Sequence, residues 1–432
     1  MHVVVIGAGV FGSWTALWLR RRGVSVTLVD QYGPGNSLSS SGDESRVTRS
    51  AHAADEHYPI WQRRALQHWL ALDPALFVRT GVLWLAGRDD GFEADSAAAL
   101  ERLRIPTERL DRTQLSARWP HLGTDDLTWA LHEPEAGVLL ARRAVAAVAN
   151  AFVAEGGDLR IGLAAMDQEN FVLEVDGTTP QFDAVVFAAG PWLPKLLRNV
   201  PALQLSVPQQ EIIYFATPPG DTSFDAGVMP TWVEYDAAFY GLPSIEGRGF
   251  KVAPDWPGPE VDPDRQERRL SDERVDAARA YLRRRFPDLA GQPVAEGRVC
   301  QYELTADTHF IIDRVPEHAM LNAWVVGGGS GHGFKHGPVV GEYLSALVVG
   351  DASAAAELAP PDDRFALRHR VPGVGMRTSG APPGSRIAAS AASNSSKVSS
   401  LKSTKRTSST FVSPPRWSAA VRTATWAPSS PG

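Results

Sequence analysis

The sequence predicts an α/β fold of two domains, and three observations support that prediction. The chain has 432 residues, which is too long for one compact core. Its composition, 44% hydrophobic and 21% charged, is that of an ordinary globular protein. The first thirty residues run from an apolar segment through a glycine-rich turn and a helical pattern to a second apolar segment. Such an order is typical of parallel strands joined by a packed helix.

Composition also limits the partners and the location of the protein. The net charge of −6 argues against nucleic acid as the main partner. A single cysteine excludes an intramolecular disulfide and fits a reducing compartment. We find no run of about 18 apolar residues and no signal-peptide pattern, so we expect a cytoplasmic protein without a membrane span.

The segment 371–432 differs from the rest of the chain. It contains eight Lys or Arg residues and no Asp or Glu, among many Ser, Ala, Pro and Thr. Such a mixture cannot bury enough apolar surface to offset the entropy of ordering, so a disordered tail is expected. A basic arm for acidic partners and a dispensable or mistranslated end are both compatible with it.

The first strand and helix carry a dinucleotide-binding pattern. "HVVVIG" is a buried-strand run, and Gly7, Gly9 and Gly12 follow in GxGxxG spacing. Gly7 permits the turn, Gly9 lets a pyrophosphate approach the backbone, and Gly12 brings helix and strand together. Asp30 ends the next strand, where it can accept hydrogen bonds from a ribose. The pattern predicts dinucleotide binding but does not distinguish NAD from FAD.

Three later segments add candidate ligand contacts. Arg46 and Arg49 lie three residues apart in a polar loop, where the pattern predicts the start of a helix. We therefore expect their side chains to lie on similar sides of that helix. A solvated basic turn is the alternative. An apolar run leads into Gly190 and Trp192, and "NAWVVGGGSGHGFKHG" places a glycine-rich loop before a helix. That loop offers N–H groups to an anionic or electron-rich ligand.

Six segments in order resemble the amino-acid-oxidase superfamily, in its monomeric sarcosine oxidase and N-methyltryptophan oxidase branch. They are "VVVIGAGVFG", "GDESRVTR", "FYGLPS", "GRGFK", "CQYELTADTHFIID" and "SGHGFK". The resemblance implies FAD as the cofactor. It also implies a Rossmann-like FAD-binding domain made of residues 1–80, 139–200 and 301–350. A substrate domain with an antiparallel sheet would comprise residues 81–138 and 201–300.

The resemblance assigns roles to particular residues. Cys300 would form a thioether with the flavin ring; a buried cysteine acting as a small hydrophobe is the alternative. Arg49 and Lys335 would hold a substrate carboxylate, and Tyr240 would line the substrate cavity. Lys251 would stabilise the negative charge that develops on oxygen, unless it is only an exposed strand-end lysine.

The remaining assignments concern the cofactor. Arg46 would lie beside the flavin ring and His332 near it, unless His332 is a loop histidine bonded to backbone. No metal is expected. The implied FAD contacts are Gly7, Gly9, Gly12, Asp30, Ser45, Arg46, Gly190, Trp192, Cys300, Gly331, Gly333 and Lys335.

The sequence departs from the pattern of the branch at three places. "GDESR" is one residue longer than usual, and the stretch from Cys300 to His332 is about two residues longer than in sarcosine oxidase. Asp255 stands where sarcosine oxidase has a histidine near the substrate. The side chain of the substrate is therefore left open.

The resemblance implies a monomeric FAD-dependent oxidase of a small secondary or N-methylated amino acid. A hydride equivalent would pass from the carbon next to nitrogen to flavin N5, the imine would hydrolyse, and O2 would become H2O2. Two alternatives remain: a dehydrogenase of the same superfamily with a quinone or protein acceptor, and a flavin-binding protein without activity.

Overall fold

The computed structural model describes residues 1–167, 172–315 and 322–368. The segment 371–432, for which the sequence predicts a disordered tail, lies outside the described residues.

Most of the described strands belong to two large sheets. In chain order the strands are β1 (His2–Ile6), β2 (Ser25–Asp30), β3 (Arg46–Thr48), β4 (Phe77–Val78), β5 (Val82–Ala86), β6 (Glu108–Asp111), β7 (Trp129–Glu133), β8 (Gly137–Leu139), β9 (Asp158–Ile161), β10 (Ala164–Asp167), β11 (Val172–Val175), β12 (Ala184–Phe187), β13 (Gln209–Phe215), β14 (Thr231–Glu234), β15 (Phe239–Leu242), β16 (Phe250–Pro254), β17 (Val294–Gln301), β18 (Ile311–Arg314) and β19 (Ala323–Gly327).

Helices cover these sheets. The described α-helices are α1 (Val10–Arg21), α2 (His57–Leu72), α3 (Phe92–Arg102), α4 (Arg112–Arg118), α5 (Ala141–Ala154), α6 (Leu193–Leu196), α7 (Asp272–Arg285), α8 (Gly337–Val349) and α9 (Ala352–Leu358). None of the described helices is long and apolar enough to cross a membrane.

The first large sheet has the order β18–β19–β12–β1–β2–β9. Its neighbouring strands are parallel except for β18, which is antiparallel to β19. Strand β1 is central and buried, as its unbroken apolar run predicts. Helix α1 follows it directly and packs against α5 and α8, so its apolar residues enter the core of this half.

The second large sheet has the order β17–β13–β16–β15–β14–β5–β7–β6. Its neighbours are antiparallel except for the pair β5 and β14. The α/β fold with a parallel sheet and a mostly antiparallel second sheet is thus confirmed. The division of the chain into two domains at residues 80, 139, 200 and 300 stays a prediction.

The two faces of the second sheet differ, because side chains alternate along each strand. One face, with Ile213, Trp232 and Phe250, packs in a core that includes residues of α7. The other face carries Tyr214 and Cys300 together with the partly buried Tyr240. We call this second side the cavity face.

A short sheet corrects one expectation about the arginine loop. Residues Arg46–Thr48 form β3, which pairs with β8, so the helix start predicted there is wrong. In a strand, positions three apart lie on opposite sides, whereas in a helix they share one side. Arg46 begins β3 and Arg49 follows its end, so the shared side expected from a helix start is not formed.

Candidate active site

A cavity of about 440 Å³ lies at the carboxyl ends of the parallel strands. Its wall includes Ile6 at the end of β1, Gly7 directly after it, Asp30 at the end of β2, and Ala188 after β12. Ligands of open α/β sheets bind at this edge, because the loops and helix N-termini meet there. The glycine-rich turn has therefore brought its backbone to a site large enough for a ligand.

Two of the three glycines are required by packing. Gly7 has φ +105°, and a Cβ on it would press against the backbone of Ala188. A Cβ on Gly12 would overlap the carbonyl oxygen of Gly7. A Cβ on Gly9 would lie 3.4 Å from Ser41 Oγ, which is an ordinary contact distance. Gly9 and Ser41 both line the cavity. Gly9 is thus the glycine whose absent side chain leaves room for a ligand at the start of α1.

Asp30, the expected ribose contact, also accepts hydrogen bonds from backbone N–H groups near it. Its Oδ2 accepts the N–H of Ala8 at 2.8 Å, and its Oδ1 accepts the N–H groups of Tyr32 and Gly33 at 2.9 and 2.8 Å. Since a carboxylate oxygen can accept two bonds, Oδ2 retains capacity for a ribose hydroxyl. The residue lines the cavity, so the site fits the adenosine part of a dinucleotide.

Cys300 lies near the end of β17 and is buried, with 7% of its surface exposed. It lines the same cavity. Burial raises the pKa of its thiol, and the nearby charge of Arg46 opposes that rise. Its position on the cavity wall fits covalent attachment of a ring at this end, although the bond itself stays a prediction.

Asp43 links two of the predicted cations. Its Oδ2 accepts a hydrogen bond from Arg46 Nη1 at 2.6 Å and another from Lys251 Nζ at 2.7 Å. Burial raises the pKa of Asp43, but Lys251 and Arg46 outweigh this and hold it well below its usual range. One carboxylate thus faces two cations, which leaves the group with a positive charge. Ser45 completes it, since its Oγ lies 3.2 Å from Lys251 Nζ.

Arg49 and Lys335 form a second cationic group. Burial lowers the pKa of Arg49 to about 10, and burial together with the charge of Arg49 lowers the pKa of Lys335 well below its usual range. The guanidinium of Arg49 stacks over Trp84 and donates to the carbonyl of Ala51. Within residues 1–167, 172–315 and 322–368, neither side chain has a carboxylate within 4.0 Å, and Glu133 acts on both electrostatically from a greater distance. Such a pair can bind an anion, because two repelling charges lie together with little solvent.

Tyr302 connects the cavity with the second sheet. Its ring lines the cavity, and its hydroxyl donates to Asp255 Oδ1 at 3.0 Å. Tyr240 lies close enough to hydrogen bond with Tyr302, and burial raises the pKa of both phenols. Tyr240, which the resemblance assigns to the substrate cavity, therefore lies next to Tyr302 on the cavity wall.

A histidine cluster lies beside Lys335. The rings of His52, His332 and His336 place nitrogens within 4.8 Å of one another, which is compatible with a metal ion. Burial and the charges of Arg49 and Lys335 lower the pKa of all three. The same charges would repel a metal cation, so we retain the expectation of no metal. His332 Nε2 contacts the carbonyl of Thr308 at 3.0 Å, the backbone contact that the sequence left as an alternative.

The predicted cofactor residues fall into two groups. Those on the cavity wall are Gly7, Gly9, Asp30, Arg46, Gly190, Trp192, Cys300, Gly331 and Gly333. Gly12, Ser45 and Lys335 are not part of that wall; Gly12 acts through packing, and the other two lie in the cationic groups.

Several contributing residues were not predicted from the sequence. Asp43 stood inside the quoted "GDESR" motif, yet nothing local shows that Lys251, over 200 positions away, would bind it. Glu303 lines the cavity, and burial raises its pKa to about 7. Glu133 accepts N–H bonds from Ser50, Ala51 and the Trp84 indole, which positions the backbone around Arg49.

Comparison with known proteins identifies the family of this chain. Residues 2–347 match the DAO family, described as FAD dependent oxidoreductase. The monomeric sarcosine oxidase of Bacillus sp. (strain B-0618) is 29% identical over 363 residues, which are 80% of this chain and 92% of the relative. The N-methyl-L-tryptophan oxidase of Salmonella enteritidis PT4 (strain P125109) is 27% identical over 368 residues, 82% of this chain and 95% of the relative.

Solved structures agree in fold. The L-proline dehydrogenase of P. horikoshii superposes with a TM-score of 0.72 at 19% identity, covering 85% of this chain and 96% of that one. At this identity the likeness concerns the fold alone. Together, the match over residues 2–347, the parallel-sheet cavity and the glycine-rich cradle show that this chain belongs to the DAO family of FAD-dependent oxidoreductases.

Proposed function

We propose that the protein is an FAD-dependent oxidase of a small secondary or N-methylated amino acid. The observation that carries the proposal is the pair Arg49 and Lys335, two buried basic side chains without a carboxylate within 4.0 Å among the described residues. A flavoprotein that only binds its cofactor has no use for such a pair beside the cavity. A substrate carboxylate supplies the missing negative charge.

The two cations bind that carboxylate in different ways. The guanidinium of Arg49 is a planar fork that can donate two parallel hydrogen bonds, whereas the ammonium of Lys335 acts as a point charge. Lys335 Nζ already donates to the carbonyl of His332 at 2.7 Å, which orients it. Trp84 beneath Arg49 restricts the guanidinium further. The substrate carboxylate therefore meets a preorganised site.

FAD would be held by the cavity wall already described. The helix α1 N-terminus and Gly9 would face its pyrophosphate, Asp30 its ribose, and Arg46 and Cys300 its ring system. We propose that Cys300 is joined to the ring through a thioether. When bound, FAD accepts a hydride equivalent from the carbon next to the substrate nitrogen and passes the electrons on to O2.

Lys251 supports the choice of oxygen as acceptor. It is 1% exposed, and it reaches across from the cavity face to share Asp43 with Arg46. Because two cations share one carboxylate, a net positive charge remains where oxygen acquires an electron. The charge stabilises the superoxide anion as it forms.

A panel of substrates tests the proposal. Peroxide formation is measured with sarcosine, N-methyltryptophan, pipecolate, proline and D-amino acids, with flavin reduction followed anaerobically for the same compounds. We expect one or more secondary or N-methylated amino acids to reduce the flavin and to yield peroxide. Reduction without peroxide would instead support a dehydrogenase, and no reduction by any amino acid would contradict the proposal.

Two further statements belong to the same proposal. We propose a monomer, which gel filtration tests. We also propose a cytoplasmic location, which fits a sequence whose single cysteine cannot form an intramolecular disulfide.

A further inference from the structure

We propose that Arg268 is a positioning residue for the covalent attachment of FAD, because it ties the strand that carries Cys300 to a loop of the cofactor cavity and places a positive charge beside the thiol. This inference rests on the proposed thioether and deepens it, since it assigns a residue that promotes formation of the bond. Arg268 lies in the segment 255–271 between β16 and α7, which we call the strap.

The guanidinium of Arg268 bridges two parts of the chain. Its Nη1 donates to the carbonyl of Val299 at 2.9 Å, and its Nη2 donates to the carbonyl of Leu38 at 3.1 Å. Val299 directly precedes Cys300 on β17, and Leu38 directly precedes Ser39, which lines the cavity. Because the guanidinium is a planar fork, it sets the distance between the two carbonyls. The strand with the thiol is thereby held in place against the cavity loop.

The same loop and strand are joined by other bonds as well. Ser40 Oγ donates to the carbonyl of Gln301 at 2.8 Å, and Gln301 Nε2 donates to the carbonyl of Leu38 at 2.8 Å. The loop also meets the start of α1, since Ser41 Oγ accepts the N–H of Val10 at 3.1 Å. These bonds do not involve the strap. We therefore expect the cavity to persist, and FAD still to enter it, when the guanidinium is removed.

The charge of Arg268 differs from those of the other cations near the thiol. Arg46 and Lys251 both donate to the carboxylate of Asp43. Arg268 has no carboxylate within 4.0 Å among the described residues, and the bonds that it donates go to neutral carbonyls. Its positive charge is therefore not offset by a paired anion, and it favours the negatively charged thiolate of Cys300.

Several groups around the thiol influence its ionisation. Burial raises the pKa of the Cys300 thiol; the charges of Arg46, Lys251 and Arg268 oppose the rise, and that of Asp43 adds to it. The phenols that pack near the thiol or act on it are those of Tyr214, Tyr240 and Tyr302, and burial raises the pKa of each, so they stay neutral. The thiolate is the nucleophilic form of cysteine. Loss of a cation beside it raises the thiol pKa further and moves attachment to higher pH.

The attachment reaction balances with oxygen as the oxidant. One S–H bond of Cys300 and one C–H bond of the methyl group on the flavin ring break, and one C–S bond forms. Two protons and two electrons pass to the ring system, and O2 takes them up as H2O2. Thiol, FAD and O2 thus give the thioether and H2O2, with the acceptor that the proposed function already uses.

The first test measures the rate of attachment. The full-length chain is produced under riboflavin depletion, mixed with FAD at several concentrations and precipitated with acid at intervals. Flavin in the pellet is then quantified, and Cys300 is the only cysteine, so thiol-linked flavin reports this position alone. We expect Arg268→Gln to lower the limiting rate at least about tenfold, because a charge-assisted contact beside the thiol is lost. The half-saturating FAD concentration should change little, and Arg268→Lys should recover part of the rate.

The second test follows the limiting rate at saturating FAD as a function of pH. The rate should rise with pH as the thiolate forms. In Arg268→Gln the rise should move to higher pH, because the neutral amide no longer favours the thiolate. In Arg268→Lys, which keeps the positive charge, the rise should stay close to that of the wild type. A purely structural role would lower the rate at every pH and leave the position of the rise unchanged.

A matched control and the opposite outcomes complete the experiment. Arg269→Gln removes the next guanidinium, which is exposed and lies 4.0 Å from Glu267, and it should leave the rate and its pH dependence unchanged. Equal limiting rates for wild type and Arg268→Gln, or a pH profile that does not move, would overturn the inference. Wild-type flavin that is not covalent would also overturn it, while peroxide formation from an amino acid would still support the oxidase. Attached flavin that no amino acid reduces would contradict the proposed function and leave the role of Arg268 standing.

Discussion

Replacing Arg49 tests the substrate site most directly. Burial lowers the pKa of this arginine to about 10, and a depression of more than two pH units corresponds to about 3 kcal/mol against the charged form. A bound carboxylate offsets that penalty. Truncating one partner of such a buried pair costs about 2–5 kcal/mol. We therefore expect Arg49→Ala to lower kcat/KM by about a hundredfold, since about 1.4 kcal/mol corresponds to a factor of ten.

The assay compares the best substrate with its amide in both proteins. The amide lacks the negative charge, so it should be poor with the wild type and lose little more in Arg49→Ala. The difference between the two losses is the coupling energy between the guanidinium and the carboxylate. Arg49→Lys should recover only part of the activity, because an ammonium cannot reproduce the fork.

A matched control removes an arginine elsewhere. Arg102→Ala eliminates a guanidinium that pairs with Glu56 on the surface, and it should leave the kinetics of acid and amide unchanged. A coupling energy near zero at Arg49 would show that it does not contact the carboxylate, and the assignment to amino acids would lose its main support.

Three further outcomes are expected. Acid precipitation should leave the flavin with the wild-type protein and release it from Cys300→Ala; flavin that washes out of the wild type would mean that the thiol only packs. Lys251→Met should slow flavin reoxidation by about a hundredfold, for about 3 kcal/mol, while reduction changes little, and Lys251→Arg should retain much of the rate; equal losses in both half-reactions would contradict the oxygen role. Deleting residues 371–432 should leave Tm and turnover nearly unchanged, and a large fall in either would show that this segment packs on the body.

The local chemistry of the first thirty residues was sufficient to predict the dinucleotide-binding unit. Gly7 adopts a positive φ, and Gly12 lies so close to the carbonyl oxygen of Gly7 that it has no room for a Cβ. An apolar run such as "HVVVI" is stable only as a buried strand between others. These requirements act over a few residues, so they can be read in sequence order. The motif order along the chain then identified the family, which residues 2–347 bear out.

The arrangement around the substrate site could not be predicted in the same way. The loop with Arg46 and Arg49 has a spacing that suits a helix start, but pairing of β3 with β8, about 90 residues away, makes it a strand. That pairing sends Arg46 to Asp43 and Arg49 to Trp84. A strand of three residues has little preference of its own, so the partner strand decides its conformation.

Charge partnerships were likewise decided only by the tertiary structure. The sequence shows that Lys251, Lys335 and Asp255 exist, but their pKa values depend on burial and on neighbours from other elements. Asp43 holds Lys251 because β16 and the polar loop meet in space. The sequence by itself thus determined the glycine-rich turn between β1 and α1, whose conformational requirements are local. The tertiary structure decided which charges are paired and which stay available for a substrate, because electrostatic energies depend on distance and desolvation rather than on order along the chain.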